Sequence, residues 1–143
     1  MSKPEVAIAI IPTQDHFLMQ LRDNIPGIAA PGQWAFFGGH LEPDEDPATA
    51  LKRELYEEIR YPLTIPPVKF GEYPDERVMR HVFVCPLTVP LDQLVLQEGW
   101  DFGRVSPAAV HQGEQYSPIA QEVRPLSALH RQILLDFMES QRS

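Results

Sequence analysis

Short β-rich runs, two well-separated helical patterns and turn residues between them mark this 143-residue chain as an α/β (α+β) sandwich. The first β-rich runs are Val6–Ile11 and His16–Arg22, and the turn-like Pro12-Thr13-Gln14-Asp15 between them predicts a hairpin. Residues 23–33 hold Asp, Asn, two Pro and two Gly and read as a long loop. Trp34–Phe37 is a short aromatic strand that runs into Gly38-Gly39. Asp46 then supplies an N-cap and Pro47 the first helical position, so a helix runs from about Pro47 to Arg60. Tyr61-Pro62 stops it, because a residue before proline disfavours helical geometry. Further strands are expected at Lys69–Tyr73, Val78–Leu87 and Leu94–Gln97. The last helix spans Pro125 to about Gln141, on Leu126, Leu129, Ile133 and Phe137 at spacings of three and four.

Composition narrows the function classes. With 43% apolar and 22% charged residues the chain can bury a core, and residues 1–143 suit a single domain. Its 15 prolines are spread out and mark turns, not a linker. Twelve Lys and Arg against 20 Asp and Glu leave a net charge of −8, which argues against a partner as long and anionic as nucleic acid. The one cysteine, Cys85, lies in the apolar run Val82–Cys85 and reads as a small buried hydrophobe. The N-terminal apolar stretch is too short for a secretory signal, and nothing approaches the ~20 apolar residues of a membrane span. A cytoplasmic location is the simplest expectation, with no membrane partner.

The informative segment is Gly38–Tyr61, GGHLEPDEDPATALKRELYEEIRY. At ~100° per residue, Ala48, Leu51, Leu55 and Ile59 share an apolar arc that should face a sheet. Glu54, Glu57 and Glu58 gather on the neighbouring arc. Like charges at these spacings repel by a few tenths of a kcal/mol per pair, roughly. A hard divalent cation with oxygen ligands relieves that repulsion, and Mg²⁺ keeps open positions for water and substrate phosphate. Seven acidic residues lie between Glu42 and Glu58 with only Lys52 and Arg53 opposing them, so more than half of the net charge sits in this stretch. A bound cation would invert the local field there and admit an anionic substrate.

Gly39, Glu45, Arg53, Glu54, Leu55, Glu57 and Glu58 stand in register with the signature of the Nudix hydrolases, which this segment resembles. A chance match of six fixed residues is on the order of 10⁻⁷ to 10⁻⁸ per starting position. One position departs: Arg60 stands where the signature has glycine, followed by Tyr61. The resemblance implies an α/β/α sandwich with a mixed sheet between helices. It also implies a Mg²⁺ site, with Mn²⁺ as a substitute, on Glu54, Glu57, Glu58 and the Gly39 carbonyl. Arg53 would orient a glutamate, and Glu45 would support the loop–helix junction. Catalysis would rest on Glu57, Glu54, Arg53 and a general base on a later loop, for which Glu98 is the candidate. Glu72 and Asp101 are weaker candidates for that base. For the substrate, Arg22 is a candidate phosphate donor, and Phe37 a candidate for stacking on a base, with Trp34, Phe36, Phe83 and Trp100 also available.

The implied activity is hydrolysis of a diphosphate bond in a nucleoside diphosphate derivative. A nucleoside triphosphate is the first expectation, and a nucleotide sugar or ADP-ribose the alternative. A non-catalytic ligand sensor of the same family is the rival of another class, and it would be expected to lose signature carboxylates. Homodimers are common in the family, although no segment here marks an interface.

Overall fold

The computed structural model describes residues 3–142. In chain order the elements are β1 (Glu5–Ile10), β2 (Pro12–Thr13), β3 (His16–Leu21), β4 (Trp34–Ala35), β5 (Phe37–His40) and α1 (Pro47–Ile59). There follow β6 (Val68–Pro74), β7 (Met79–Val84), a 3₁₀ turn (Leu91–Gln93), β8 (Asp101–Val105), α2 (Pro107–Gln112), β9 (Glu114–Ser117), β10 (Glu122–Pro125) and α3 (Ala128–Ser140). This is an α+β fold with a mixed sheet. No helix among the described residues is long and apolar enough to cross a membrane.

The chain forms two compact units. The first comprises the chain up to Pro12 together with Phe37–Gln97. Its sheet runs β5-β1-β7-β6, with β1 parallel to β7 and the other pairings antiparallel. Ala7, Ile8, Ala9 and Ile10 are all buried, as a central strand covered on both faces requires. Helix α1 packs on β5 and β1 and buries Ala50, Leu51, Leu55 and Ile59. Removing each of the three large side chains from water contributes about 1.5–3 kcal/mol. Ala50 takes the place expected for Ala48, which sits half-buried in the first turn beside Leu63 and Ile65. Cys85 is buried as expected, and burial pushes its thiol pKa up to about 12.

The second unit comprises Thr13–Phe36 together with the chain from Glu98 onward. Here β3 pairs antiparallel with β4 and β8, and β9 with β10. The Trp34 indole Nε1 donates to the Gln115 carbonyl at 3.1 Å, and α3 buries Ile133 and Leu134.

Several expected elements are corrected. Val6–Ile11 does not pair with His16–Arg22: β1 and β3 belong to different sheets. Each run is buried along most of its length and serves as a central strand, and β3 instead follows the two-residue β2 through a tight turn. Gln14 and Asp15 in that turn both have positive φ (48° and 65°), the conformation of a type I′ hairpin. The aromatic strand Trp34–Phe37 is split at Phe36 into β4 and β5. Leu94–Gln97 is not a strand. Its amides cap α1 instead: Val95 N–H donates to the Ile59 carbonyl (3.1 Å) and Gln97 N–H to that of Glu58 (2.9 Å), satisfying carbonyls that a helix end leaves open. The last helix starts at Ala128, capped by Ser127, because Pro125 closes β10.

β8, α2, β9 and β10 lie where the sequence reading places no element. Helix α2 carried a readable signal, since Ser106-Pro107 repeats the cap-then-proline pattern of Asp46-Pro47.

Candidate metal centre

The site is built on α1 and the turn of chain that enters it from β5. Asp46 Oδ1 accepts the Thr49 N–H at 2.9 Å and Pro47 occupies the first turn, so the helix starts where the sequence signals it. At the other end Arg60 takes the left-handed cap conformation itself, at φ 55° and ψ 35°. Its N–H donates to the Tyr56 carbonyl (2.9 Å), and Tyr61 N–H to that of Leu55 (3.3 Å). The helix therefore ends as it would with glycine, although a non-glycine residue there carries about 1–2 kcal/mol of strain. The Arg60 guanidinium lies 5.2 Å from the centre of the Tyr56 ring. Tyr61 is buried, its hydroxyl donating to the Pro86 carbonyl at 3.0 Å.

Arg53 organises the acidic face. Its Nε and Nη2 donate to the two oxygens of Glu45, both at 2.9 Å, a bidentate pair. Nη2 also donates to the His40 carbonyl (3.1 Å), and Nη1 to Glu54 (2.9 Å) and Glu57 (3.4 Å). Glu42 stands 3.6 Å away. The Arg53 bond, reinforced by the Glu42 N–H, lowers the Glu45 carboxyl pKa to about 2. The same contact with Glu45 raises that of Arg53. Glu45 thus bonds both to the Glu42 N–H of the entry loop and to Arg53 of the helix.

The two glycines carry the remaining contacts. Gly38 N–H donates to Glu58 Oε2 at 2.9 Å. A Cβ on Gly39 would come within 2.6–2.8 Å of the Glu54 carboxylate, so a side chain there would displace that carboxylate from its present place. Gly38 has φ +141°, and a Cβ there would lie 2.1 Å from the Ala7 carbonyl oxygen. The anchoring role of Gly38 and the use of the His40 carbonyl had no sequence signal beyond the paired glycines.

The donor set is all oxygen, which suits a hard divalent ion. Glu54 is largely covered and held against Gly39, Glu58 is held by Gly38, and the Glu57 side chain is 56% exposed. Among the described residues no group of three or more His, Cys, Asp or Glu side chains is already gathered closely enough to hold a metal ion. The residues fit an ion that retains water and substrate oxygens as ligands.

The other candidates are placed as follows. Phe37 is fully buried in β5, so its ring packs the core and offers no open face to a base. Trp34, Phe36 and Phe83 are buried too, while Trp100 is half-buried with the Arg124 guanidinium 5.8 Å from its ring centre. Arg22 and Glu98 fall in the second unit, Arg22 half-buried and Glu98 exposed. Asp101 is buried and its oxygens accept from Ser117 Oγ (2.6 Å) and Phe102 N–H (2.7 Å). Glu72 accepts from Lys69 at 2.8 Å, which lowers its pKa.

A family comparison matches the NUDIX domain over residues 1–129. The chain belongs to the NUDIX family. It is therefore a hydrolase of pyrophosphate bonds, whose substrate class is a small nucleotide-type diphosphate, and NUDIX hydrolases generally use divalent metals. Solved structures share the NUDIX fold. A MutT protein from Methanosarcina mazei Go1 is 22% identical with a TM-score of 0.75, over 100% of this chain and 99% of that one. A MutT NUDIX hydrolase from Burkholderia pseudomallei is 18% identical with a TM-score of 0.70, over 94% and 98%. A bifunctional NMN adenylyltransferase/ADP ribose pyrophosphatase from Francisella tularensis, solved with AMP and a manganese ion, is 25% identical with a TM-score of 0.69. That likeness covers 97% of this chain and 42% of that one. No curated protein matches the sequence.

Proposed function

We propose that this chain is a Mg²⁺-dependent nucleotide pyrophosphohydrolase, with a nucleoside triphosphate as its first substrate. The ion would sit on Glu54, Glu57, Glu58 and the Gly39 carbonyl, with Mn²⁺ as a substitute. One observation carries this reading: two carboxylates of one helix face are held on the paired glycines while Glu57 stays exposed beside them. A bound divalent cation would neutralise charge on the attacking and leaving oxygens of an in-line displacement. Arg53 keeps Glu54 and Glu57 oriented. Glu98 is the base we assign, and Arg22 the phosphate donor, on the chemistry of their side chains. The family match draws on both units, which supports reading the chain as a single domain. The intact carboxylate set weighs against a non-catalytic sensor. ADP-ribose is the second substrate reading, favoured by the 25% identity to the Francisella tularensis enzyme.

The test is a panel of nucleoside triphosphates, nucleotide sugars and ADP-ribose assayed with Mg²⁺ for phosphate and nucleotide release. Glu57→Gln and Glu98→Gln are run beside the wild type. Glu57→Gln should lower turnover by about 10²-fold or more, the scale of losing one charge-stabilising group, and should weaken the rise in Tm that Mg²⁺ gives the wild type by mass action. Glu98→Gln should lower turnover about 10²- to 10⁴-fold while that rise in Tm persists. Wild-type turnover in either variant would remove the role assigned to that residue.

A further inference from the structure

Strand β6 runs along β7 with one irregularity. Lys69 lies opposite Phe83 and Glu72 opposite His81, with the register shifting between Lys69 and Gly71. In a regular strand two residues so spaced, three apart, would point to opposite faces. The bulge cancels that alternation, so Lys69 and Glu72 come to one face and meet there, Lys69 Nζ donating to Glu72 Oε2 at 2.8 Å. Both also reach the same ring. His81 Nδ1 lies 2.9 Å from Lys69 Nζ and 3.7 Å from Glu72 Oε2. On its other side, His81 Nε2 lies 2.6 Å from Glu5 Oε1 of β1. All four residues belong to the first unit. His81 is buried, whereas the Lys69 and Glu72 side chains are 41% and 49% exposed.

The donors fix where the ring proton sits. An ammonium has only protons to give, so the Nδ1 that faces Lys69 is the accepting nitrogen, and Nε2 carries the proton and donates it to Glu5. The imidazole is therefore neutral while Lys69 is its partner. A proton added at Nδ1 would face the ammonium, a like-charge contact that disfavours it. Glu72 stands beside the same nitrogen and would accept that proton's hydrogen bond. The other residues around the ring carry no charge. Ala7 lies opposite it on β1, Met79 and Phe83 flank it on β7, and α1 buries only Ala50, Leu51, Leu55 and Ile59.

We infer that Glu5, Lys69, Glu72 and His81 form a proton-operated switch at this bulge. With the ring neutral, Nδ1 accepts from Lys69. With the ring charged, Nδ1 donates to Glu72, and Lys69 moves out to solvent. Nε2 donates to Glu5 in both states, so the ring keeps its place while its partner on β6 changes. Histidine is the usual carrier of such an exchange, because its two ring nitrogens can differ in role. The switch lies apart from the carboxylates of α1 and does not depend on the metal-site reading.

The test follows the His81 ring and the Lys69 side chain by NMR through a pH titration of the full chain. Wild type, Lys69→Met and Glu72→Gln are compared, both substitutions falling on half-exposed side chains. The wild type should carry the ring proton on Nε2 at high pH, and the Lys69 ε-methylene signals should shift with the same midpoint as the ring. Lys69→Met removes the opposing cation and should raise that midpoint by about 1 pH unit or more. Glu72→Gln removes the partner of the charged ring and should lower it by about as much. A neutral ring with its proton on Nδ1 overturns the inference. So do Lys69 signals that ignore the titration of the ring, and so does a midpoint that stays in place in either variant. If a variant does not fold, the wild-type ring proton and the Lys69 shift decide the matter by themselves.

Discussion

Gly39 illustrates how one missing side chain shapes the centre. The Glu54 carboxylate occupies the space that a Cβ would take, and Arg53 bonds to that carboxylate. In Gly39→Ala the methyl group should push Glu54 away from its bond to Arg53. The expected result is a 10- to 100-fold fall, roughly, in Mg²⁺ affinity or turnover with the fold retained. A Mg²⁺ titration with turnover assays checks it, and unchanged values would mean that Glu54 has room elsewhere. The carboxylates, Arg53 and the glycines were legible because their spacing is dense and local. The fate of the aromatics was not, because a ring serves a core and a binding site equally well. Only burial showed that Phe37 belongs to the core.

At the scale of elements, α1 carries both the packing and the acidic face. Its C-terminus depends on Arg60 in a conformation that glycine adopts without strain. Arg60→Ala keeps the strain and loses the contact with Tyr56, whereas Arg60→Gly removes both. Arg60→Gly should therefore be more stable than Arg60→Ala by about 1 kcal/mol, read from urea midpoints of the two variants. Equal midpoints would show that the left-handed cap costs nothing here. The helix itself was readable from Asp46-Pro47 at one end and Tyr61-Pro62 at the other. Strand pairing was not, because two apolar strands joined by a turn look like a hairpin whether they pair with each other or with others. The two left-handed residues Gln14 and Asp15 belong to a turn between β2 and β3 that the residue pattern did not separate from a longer loop.

For the whole molecule, charge is the governing quantity. The net charge of −8 is concentrated where the helix face and its entry loop meet, and Arg53 offsets part of it. Two carboxyls are held well below their ordinary range. Glu45 lies near about 2 through Arg53, and Asp75 near about 2 through the N–H groups of Arg77 and Val78 and the Arg80 guanidinium. A carboxyl whose pKa is depressed by folding adds stability above its unfolded value, and that stability is lost as pH falls towards the folded value. Unfolding midpoints should therefore decline from about pH 4.5 down to about pH 2, and Asp75→Asn should flatten part of that slope. A wild-type midpoint that stays level across this window would contradict the ties to Glu45 and Asp75.

The sequence by itself determined the family, the α+β class, helix α1 with both its ends, and the carboxylate set. All of these show as residue patterns along the chain, which spacing alone reports. The tertiary structure decided which strands pair and which aromatics are buried. It also decided that Leu94–Gln97 closes the end of α1. Those outcomes bring together residues as far apart as Trp34 and Gln115, so they depend on how the strands and helices assemble and leave no periodic trace along the chain.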